Sequence, residues 1–271
     1  MAQAVTFSQA LILGAVQGLT EFLPVSSSGH LVLMQKLLGL KEPELLLDIM
    51  LHVGTLAAIA AVFFRELRGM AAGAAAALLR RRAVEPASPR LAWLILVGTI
   101  PTVLMGVLFS RYFEMVFGSA PWTGGMLLIT GGLLFLTRIV PHGRRGLDSM
   151  GVPDALLIGA LQGFALLPGI SRSGATISGA LFLGLSRPLA GSFSFLLAVP
   201  AIVGALLLKG RELAALPPQG AGALVLGALL AAGVGFIALK LLLRLLREGK
   251  LSSFAYYCWA LGALALLLSL G

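Results

Sequence analysis

The sequence predicts an all-α polytopic membrane protein made of two inverted repeats, each a re-entrant half-helix pair plus three transmembrane helices, giving six full spans and four half-helices. Three observations carry this expectation. The chain of 271 residues is 58% hydrophobic and 11% charged, with a mean hydropathy of +0.99, so the bilayer is the solvent for most of it. Apolar runs close to the ~20 residues that a helix needs to cross a bilayer recur along its length. Two further apolar regions are broken midway by Pro, Gly and Ser, and they are copies of each other.

Residues 7–39 form the first broken region. The run 45–64 is the first full span, interrupted only by Asp48 and His52 near its start. Four residues apart, these two could form a metal pair, but they read better as marking the interface end of the span. Charge-free spans follow at 91–110 and 115–137. The second broken region is 154–186, and spans at 188–208, 213–239 and 251–271 complete the chain. Both broken centres contain backbone that lipid cannot satisfy, so each is expected to be buried in protein or to line a watery cavity. The whole of 1–271 reads as one membrane domain with internal repeats at about 7–140 and 153–271.

A gapless shift of 145 residues pairs Leu11, Gly14, Ala15, Gln17, Gly18, Ser26, Ser28 and Gly29 with Leu156, Gly159, Ala160, Gln162, Gly163, Ser171, Ser173 and Gly174. The chain has only six Gln, so the match of Gln17 with Gln162 carries weight. A weaker echo links Arg65-Glu66-Leu67 to Arg211-Glu212-Leu213. An odd number of spans between the copies turns the second upside down, the architecture in which broken helices meet near the midplane. With 65–90 in the cytoplasm, fourteen basic residues fall inside and five (Lys36, Lys41, Arg111, Lys209 and Arg211) outside. The positive-inside rule supports that orientation, with both termini outside. The first re-entrant pair then opens outward and the second inward.

The net charge of +9 comes from short basic clusters between apolar runs, which orientation explains, so no nucleic-acid partner is expected. Residues 1–20 carry no Lys or Arg, so no cleaved leader is expected. The single cysteine, Cys258, excludes an intramolecular disulfide and reads as a packing residue. Trp93 and Trp122 read as interfacial belt residues.

The chemistry-bearing residues cluster at the two breaks. The first reads QGLTEFLPVSSSGH from Gln17 to His30. Gln17 and Glu21 share a helix face, and Pro24 stops that helix before the serines. An ionisable group at membrane depth points to function, although Glu21 could instead pair with Arg172 simply to hold the tips together. Ser26, Ser27 and Ser28 precede a half-helix expected to begin near Gly29 or His30, whose free N–H groups suit an anion. A serine there could equally be an ordinary N-cap. His30 follows Ser27 by three residues, near enough to take its proton or to activate water.

The second break reads PGISRSGAT from Pro168 to Thr176. The repeat retains Ser26 and Ser28 as Ser171 and Ser173, whereas Glu21, Ser27 and His30 face Leu166, Arg172 and Ala175. The reactive residue types are thus the asymmetric ones. Arg172 at a half-helix start, flanked by hydroxyls, makes a phosphate clamp.

The two runs resemble the signature motifs of the undecaprenyl-diphosphate phosphatase family, the bacitracin-resistance proteins of bacterial membranes. Length and layout agree over the whole chain. The resemblance implies hydrolysis of a polyprenyl diphosphate lipid to its monophosphate and inorganic phosphate in the bacterial inner membrane, with the site opening to the periplasmic or extracellular side. It implies Glu21 for a divalent cation, Mg²⁺ or Ca²⁺, Ser27 and His30 for the chemistry, and Arg172 with Gly169, Ser171, Ser173 and Thr176 for the diphosphate. Gln17, Ser26, Ser28 and Gly29 complete the substrate-binding set. Many relatives carry Glu where this chain has Gln17, and one nearby carboxylate points to a cation shared with substrate phosphates.

The rival expectation is a carrier or flippase for an anionic or lipid-phosphate substrate, since inverted repeats with meeting tips are transporter architecture. The Glu21, Ser27 and His30 set favours the enzyme, because anion binding alone needs no acid, nucleophile and base together. Ser27 attack and water activated by His30 both remain open, with the Ser27–His30 spacing favouring Ser27. The oligomeric state is open as well, a homodimer included.

Overall fold

In a computed structural model of the chain, residues 5–40, 45–78, 89–116, 119–208 and 221–269 are described. They are helical throughout apart from loops and one isolated parallel bridge, Arg145 to Leu185. Four helices among them are long and apolar enough to cross a bilayer: α5 (Pro89–Leu108), α10 (Arg187–Leu208), α11 (Ala221–Arg247) and the C-terminal segment Leu251–Ser269, whose α-helical part is α12 (Phe254–Ser269). The chain is therefore a multi-span helical membrane protein.

Both broken regions are helix–break–helix hairpins. The first is α1 (Phe7–Phe22) and α2 (Ser27–Leu37), and the second is α8 (Val152–Phe164) and α9 (Arg172–Phe182). Thr6 caps α1 in a reciprocal capping box with Gln9. Gln9 also donates to the Leu38 carbonyl at 3.1 Å, which ties the outer ends of the first hairpin together. In the second hairpin Arg145 does this work. Its guanidinium donates to both Asp154 oxygens, at 3.1 and 2.6 Å, and to the Leu183 carbonyl at 2.7 Å. The hydrogen bonds to Asp154 hold the Arg145 pKa above its ordinary value.

Each hairpin packs most closely on a helix from the other half of the chain, α1 on α11 and α8 on α5. These crossings depend on missing side chains. A Cβ on Gly14 would sit 2.5 Å from the Gly227 carbonyl oxygen, and one on Gly159 would overlap that of Gly98. Small residues let membrane helices approach to backbone contact, where dispersion and polar contacts replace the absent hydrophobic drive. The second crossing is bolted by Thr102, which donates to the Gly159 carbonyl at 2.9 Å and accepts from Gln162 at 3.2 Å.

Several spans differ from the sequence expectation. The run 45–64 ends early: α3 (Leu45–Val62) turns through 85° into α4 (Phe64–Leu78). Phe63 is buried at that corner and stacks on Phe195 at 6.3 Å, while Arg65 and Arg68 follow at once on the far side. The run 115–137 is divided into α6 (Ser110–Val116) and α7 (Ala120–Leu136), capped by Ser119. Helix α11 runs to Arg247, eight residues beyond the expected end, through Lys240 and Arg244. Its polar end stays solvated, and Lys240 lies over the Phe236 ring at 4.3 Å. The expected start of that span at 213, the Arg211-Glu212-Leu213 echo, and Lys41, Arg80, Arg81, Arg82 and Lys209 lie outside the described residues.

Candidate active site where the two tips meet

Helix α1 carries Gln17 and Glu21 one turn apart on its buried face. Leu23 leaves the helix in an extended conformation, and Pro24 ends it. Ser26 then adopts φ 67°, the one positive φ outside glycine among the described residues. A non-glycine residue there needs its surroundings to hold it. Both the backbone N–H of His30, at 3.3 Å, and its ring Nδ1, at 2.8 Å, bond the Ser26 carbonyl. The Cys258 thiol donates to the Pro24 carbonyl at 3.4 Å. Helix α2 starts at Ser27, earlier than the Gly29 or His30 start expected from the sequence, so Ser27 and Ser28 lie in its first turn.

In the second tip Gly169 has φ +98°, and a Cβ there would run into the Thr123 carbonyl. Thr130 on α7 pins this turn by donating to the Gly169 carbonyl at 3.0 Å and accepting from the Ser171 N–H at 3.1 Å. Ser171 caps α9 by accepting from the Gly174 N–H at 3.1 Å, and Arg172 is the first residue of the helix.

The tips meet in an ion pair between Arg172 Nη2 and Glu21 Oε1. The other carboxylate oxygen accepts from Ser27 Oγ at 2.6 Å and from Gln17 Nε2 at 3.1 Å. Arg172 Nη1 is buried with no hydrogen-bond partner among the described residues. Glu21, Ser27 and Arg172 line a cavity of about 430 Å³ that is also lined by the apolar side chains of Leu31, Val32, Ile49, Ile202 and Leu206. Breaking such a buried pair by removing one partner costs about 3–5 kcal/mol, because the other charge is left uncompensated.

Of the residues expected from the sequence, Glu21, Ser27, Ser28, Ser171 and Arg172 line this cavity, and Gln17 supports Glu21 from behind. Ser26, Gly29 and Ser173 are buried in the tips beside it. Gly169 shapes the second turn, and the Thr176 hydroxyl folds back onto the Arg172 carbonyl at 2.8 Å. His30 is turned elsewhere. Its Nε2 lies 2.7 Å from the Tyr257 hydroxyl, and its ring is not on the cavity wall.

Asp48 and His52, read from the sequence as the interface end of a span, lie on the cavity wall instead. Helix α3 packs beside α1, and the spacing of four puts both residues on the face it turns to the site. His52 Nε2 is 3.9 Å from Glu21 Oε2, and Asp48 accepts from Gln35 at 2.6 Å. Two polar residues one turn apart inside an otherwise apolar span were the signal that could have found them.

Among the described residues no group of three His, Cys, Asp or Glu side chains is arranged to hold a metal ion. The donors on the wall, the Glu21 carboxylate with the His52 imidazole close by and the Asp48 carboxylate one turn away on α3, fit a cation completed by water and phosphate oxygens rather than a closed protein cage.

Comparison with known proteins agrees over nearly the whole length. The family model described as "Bacitracin resistance protein BacA" matches residues 10–264. The undecaprenyl-diphosphatase of Desulfatibacillum aliphaticivorans is 48% identical over 267 residues, covering 95% of this chain and 97% of that protein. That of Desulfosudis oleivorans is 48% identical over 265 residues, with the same coverage of 95% and 97%. That of Carboxydothermus hydrogenoformans is 45% identical over 264 residues, 96% of each chain.

Proposed function

The chain belongs to the bacitracin resistance protein BacA family, and on that premise we propose that it is an integral membrane phosphatase of the bacterial inner membrane. It hydrolyses undecaprenyl diphosphate to the monophosphate and inorganic phosphate, recycling the lipid carrier of cell-wall synthesis. One observation carries the assignment of the site: Ser27 Oγ donates to a Glu21 carboxylate that the opposite tip holds through Arg172, whose second terminal nitrogen is buried and has no partner among the described residues. An amphiphile suits this cavity, its phosphates at the tips and its isoprenoid chain against the apolar lining side chains.

In this reading Ser27 Oγ attacks the terminal phosphorus while its proton passes to Glu21 Oε2, already in hydrogen-bond contact. The anhydride P–O bond breaks and the lipid monophosphate leaves. A water oxygen then bonds to phosphorus as the P–Oγ bond breaks, the proton held by Glu21 returns to Oγ, and the water's protons leave with the inorganic phosphate. Arg172 grips two phosphate oxygens and stabilises the charge on the transferring group. Glu21, with water and diphosphate oxygens, would hold a divalent cation, Mg²⁺ or Ca²⁺. Such an ion supplies charge neutralisation at the phosphates.

The finer architecture belongs to the same proposal: two inverted repeats with six spans and four half-helices, the first hairpin opening to the periplasmic side. Support comes from the exchanged packing of α1 on α11 and α8 on α5. Basic segments also gather at one end, where Arg90 donates to the Leu147 and Met150 carbonyls and Arg187 to that of Arg247. Phosphate release from a polyprenyl diphosphate by pure protein in detergent, where transport has no meaning, tests the function. Binding without release would leave a carrier.

A further inference from the structure

His52 faces the cavity with a nitrogen that the proposed chemistry does not use. Its Nδ1 lies 2.7 Å from the backbone carbonyl oxygen of Asp48. A carbonyl oxygen can only accept, so Nδ1 carries the proton and, in the neutral ring, Nε2 presents a bare lone pair. That lone pair lies 3.9 Å from Glu21 Oε2, on the wall shared with Ser27 and Arg172. An imidazole whose Nδ1–H is fixed by a backbone carbonyl while Nε2 faces a site is the arrangement of a metal-ligating histidine, tautomer and ring orientation both set in advance. His30 is built the opposite way. Its Nδ1 also bonds a carbonyl, but its Nε2 is taken by the Tyr257 hydroxyl at 2.7 Å.

We propose that His52 Nε2 is the second protein ligand, beside Glu21, of the divalent cation at this site, with phosphate oxygens and water completing the shell. The inference rests on the phosphatase reading and gives its cation site a definite composition. Gln17 supports it: its amide N–H₂ donates to Glu21, so this chain has no second carboxylate at that position to serve as ligand. A nitrogen ligand shifts preference away from Ca²⁺, which takes oxygen ligands, towards Mn²⁺ and later first-row ions. Substrate arrival fits the same picture, because a phosphate that takes Arg172 releases Glu21 Oε1 from its ion pair.

The experiment uses Mn²⁺ and inorganic pyrophosphate with the full-length protein in detergent, read by paramagnetic resonance titration and by pulsed detection of ¹⁴N hyperfine coupling. Wild type is expected to show imidazole nitrogen coupling and to bind Mn²⁺ at least tenfold more tightly than Ca²⁺. His52→Gln is expected to lose the coupling and at least tenfold in Mn²⁺ affinity, while the coupling persists in His30→Gln. His52→Cys, which puts a thiolate donor in the same place, is expected to bind Cd²⁺ at least tenfold more tightly than His52→Gln does, separating ligand loss from misfolding. Coupling that survives in His52→Gln, or a wild type that binds Mn²⁺ without nitrogen coupling, overturns the assignment. Phosphate release from a polyprenyl diphosphate is measured on the same preparation. A wild type that releases phosphate but shows no coupling sinks only the His52 assignment, whereas one that releases none sinks the phosphatase reading.

Discussion

Charge and shape can be separated at Arg172. A lysine there keeps the positive charge opposite Glu21 but cannot grip two phosphate oxygens from one plane. Arg172→Lys is therefore expected to lose about a hundredfold in kcat/KM, about 2.7 kcal/mol, while keeping the thermal unfolding profile of wild type. Near-normal turnover would reduce Arg172 to a counter-charge. Ser27 makes a sharper case, because its hydroxyl already donates to the candidate base at 2.6 Å. Ser27→Ala is expected to lower kcat by several orders of magnitude with little change in KM, and rapid quenching of wild type with terminally labelled substrate should leave label on the protein. Retention of more than about a tenth of the wild-type kcat, under ~1.4 kcal/mol of barrier, would move the attack to water.

At the scale of helices, the crossing of α8 and α5 is the most constrained contact, since the Gly159 Cα faces a backbone carbonyl rather than a side chain that can swing away. Gly159→Leu must push the helices apart and lift Gln162 from Thr102, so a loss of about 1–3 kcal/mol is expected from overpacking. A lower unfolding temperature in detergent checks it, and an unchanged one would mean that the helices do not touch. Which elements were legible in the sequence follows local chemistry. The breaks after Phe22 and Phe164 announce themselves through Pro24, Pro168 and the serines, residues that end helices anywhere. The turn at Phe63 contains neither Gly nor Pro and is produced by tertiary packing on Phe195. The direction of His30 was illegible for a related reason: a shift of two or three residues in the start of α2 rotates every side chain on it by most of a turn. Asp48 and His52 became part of the site only because α3 lies against α1.

For the whole molecule, the proposed orientation in the membrane is open to a direct test by labelling from each side. In a Cys258→Ser background, which preserves a donor towards the Pro24 carbonyl, Arg144→Cys is expected to react with an impermeant thiol reagent only from the cytoplasmic side, and Lys36→Cys only from outside. Both positions are exposed. Reaction of position 144 from outside would invert the molecule and put Ser27 in the wrong leaflet for the proposed substrate.

Glu21 and Ser27 stand before the loop at 137–146 and Arg172 after it. A chain severed after Pro141 would yield two polypeptides, one with the proposed nucleophile and no clamp, the other with the proposed clamp and no nucleophile. Neither should release phosphate alone, and co-expression should restore release, because α7 packs along α12 and α1 along α11 across the cut. The same split makes the halves exchangeable. A first half from wild type should rescue a full-length Ser27→Ala chain only if halves can re-pair between molecules, so genetic complementation would report whether the two halves behave as separable partners.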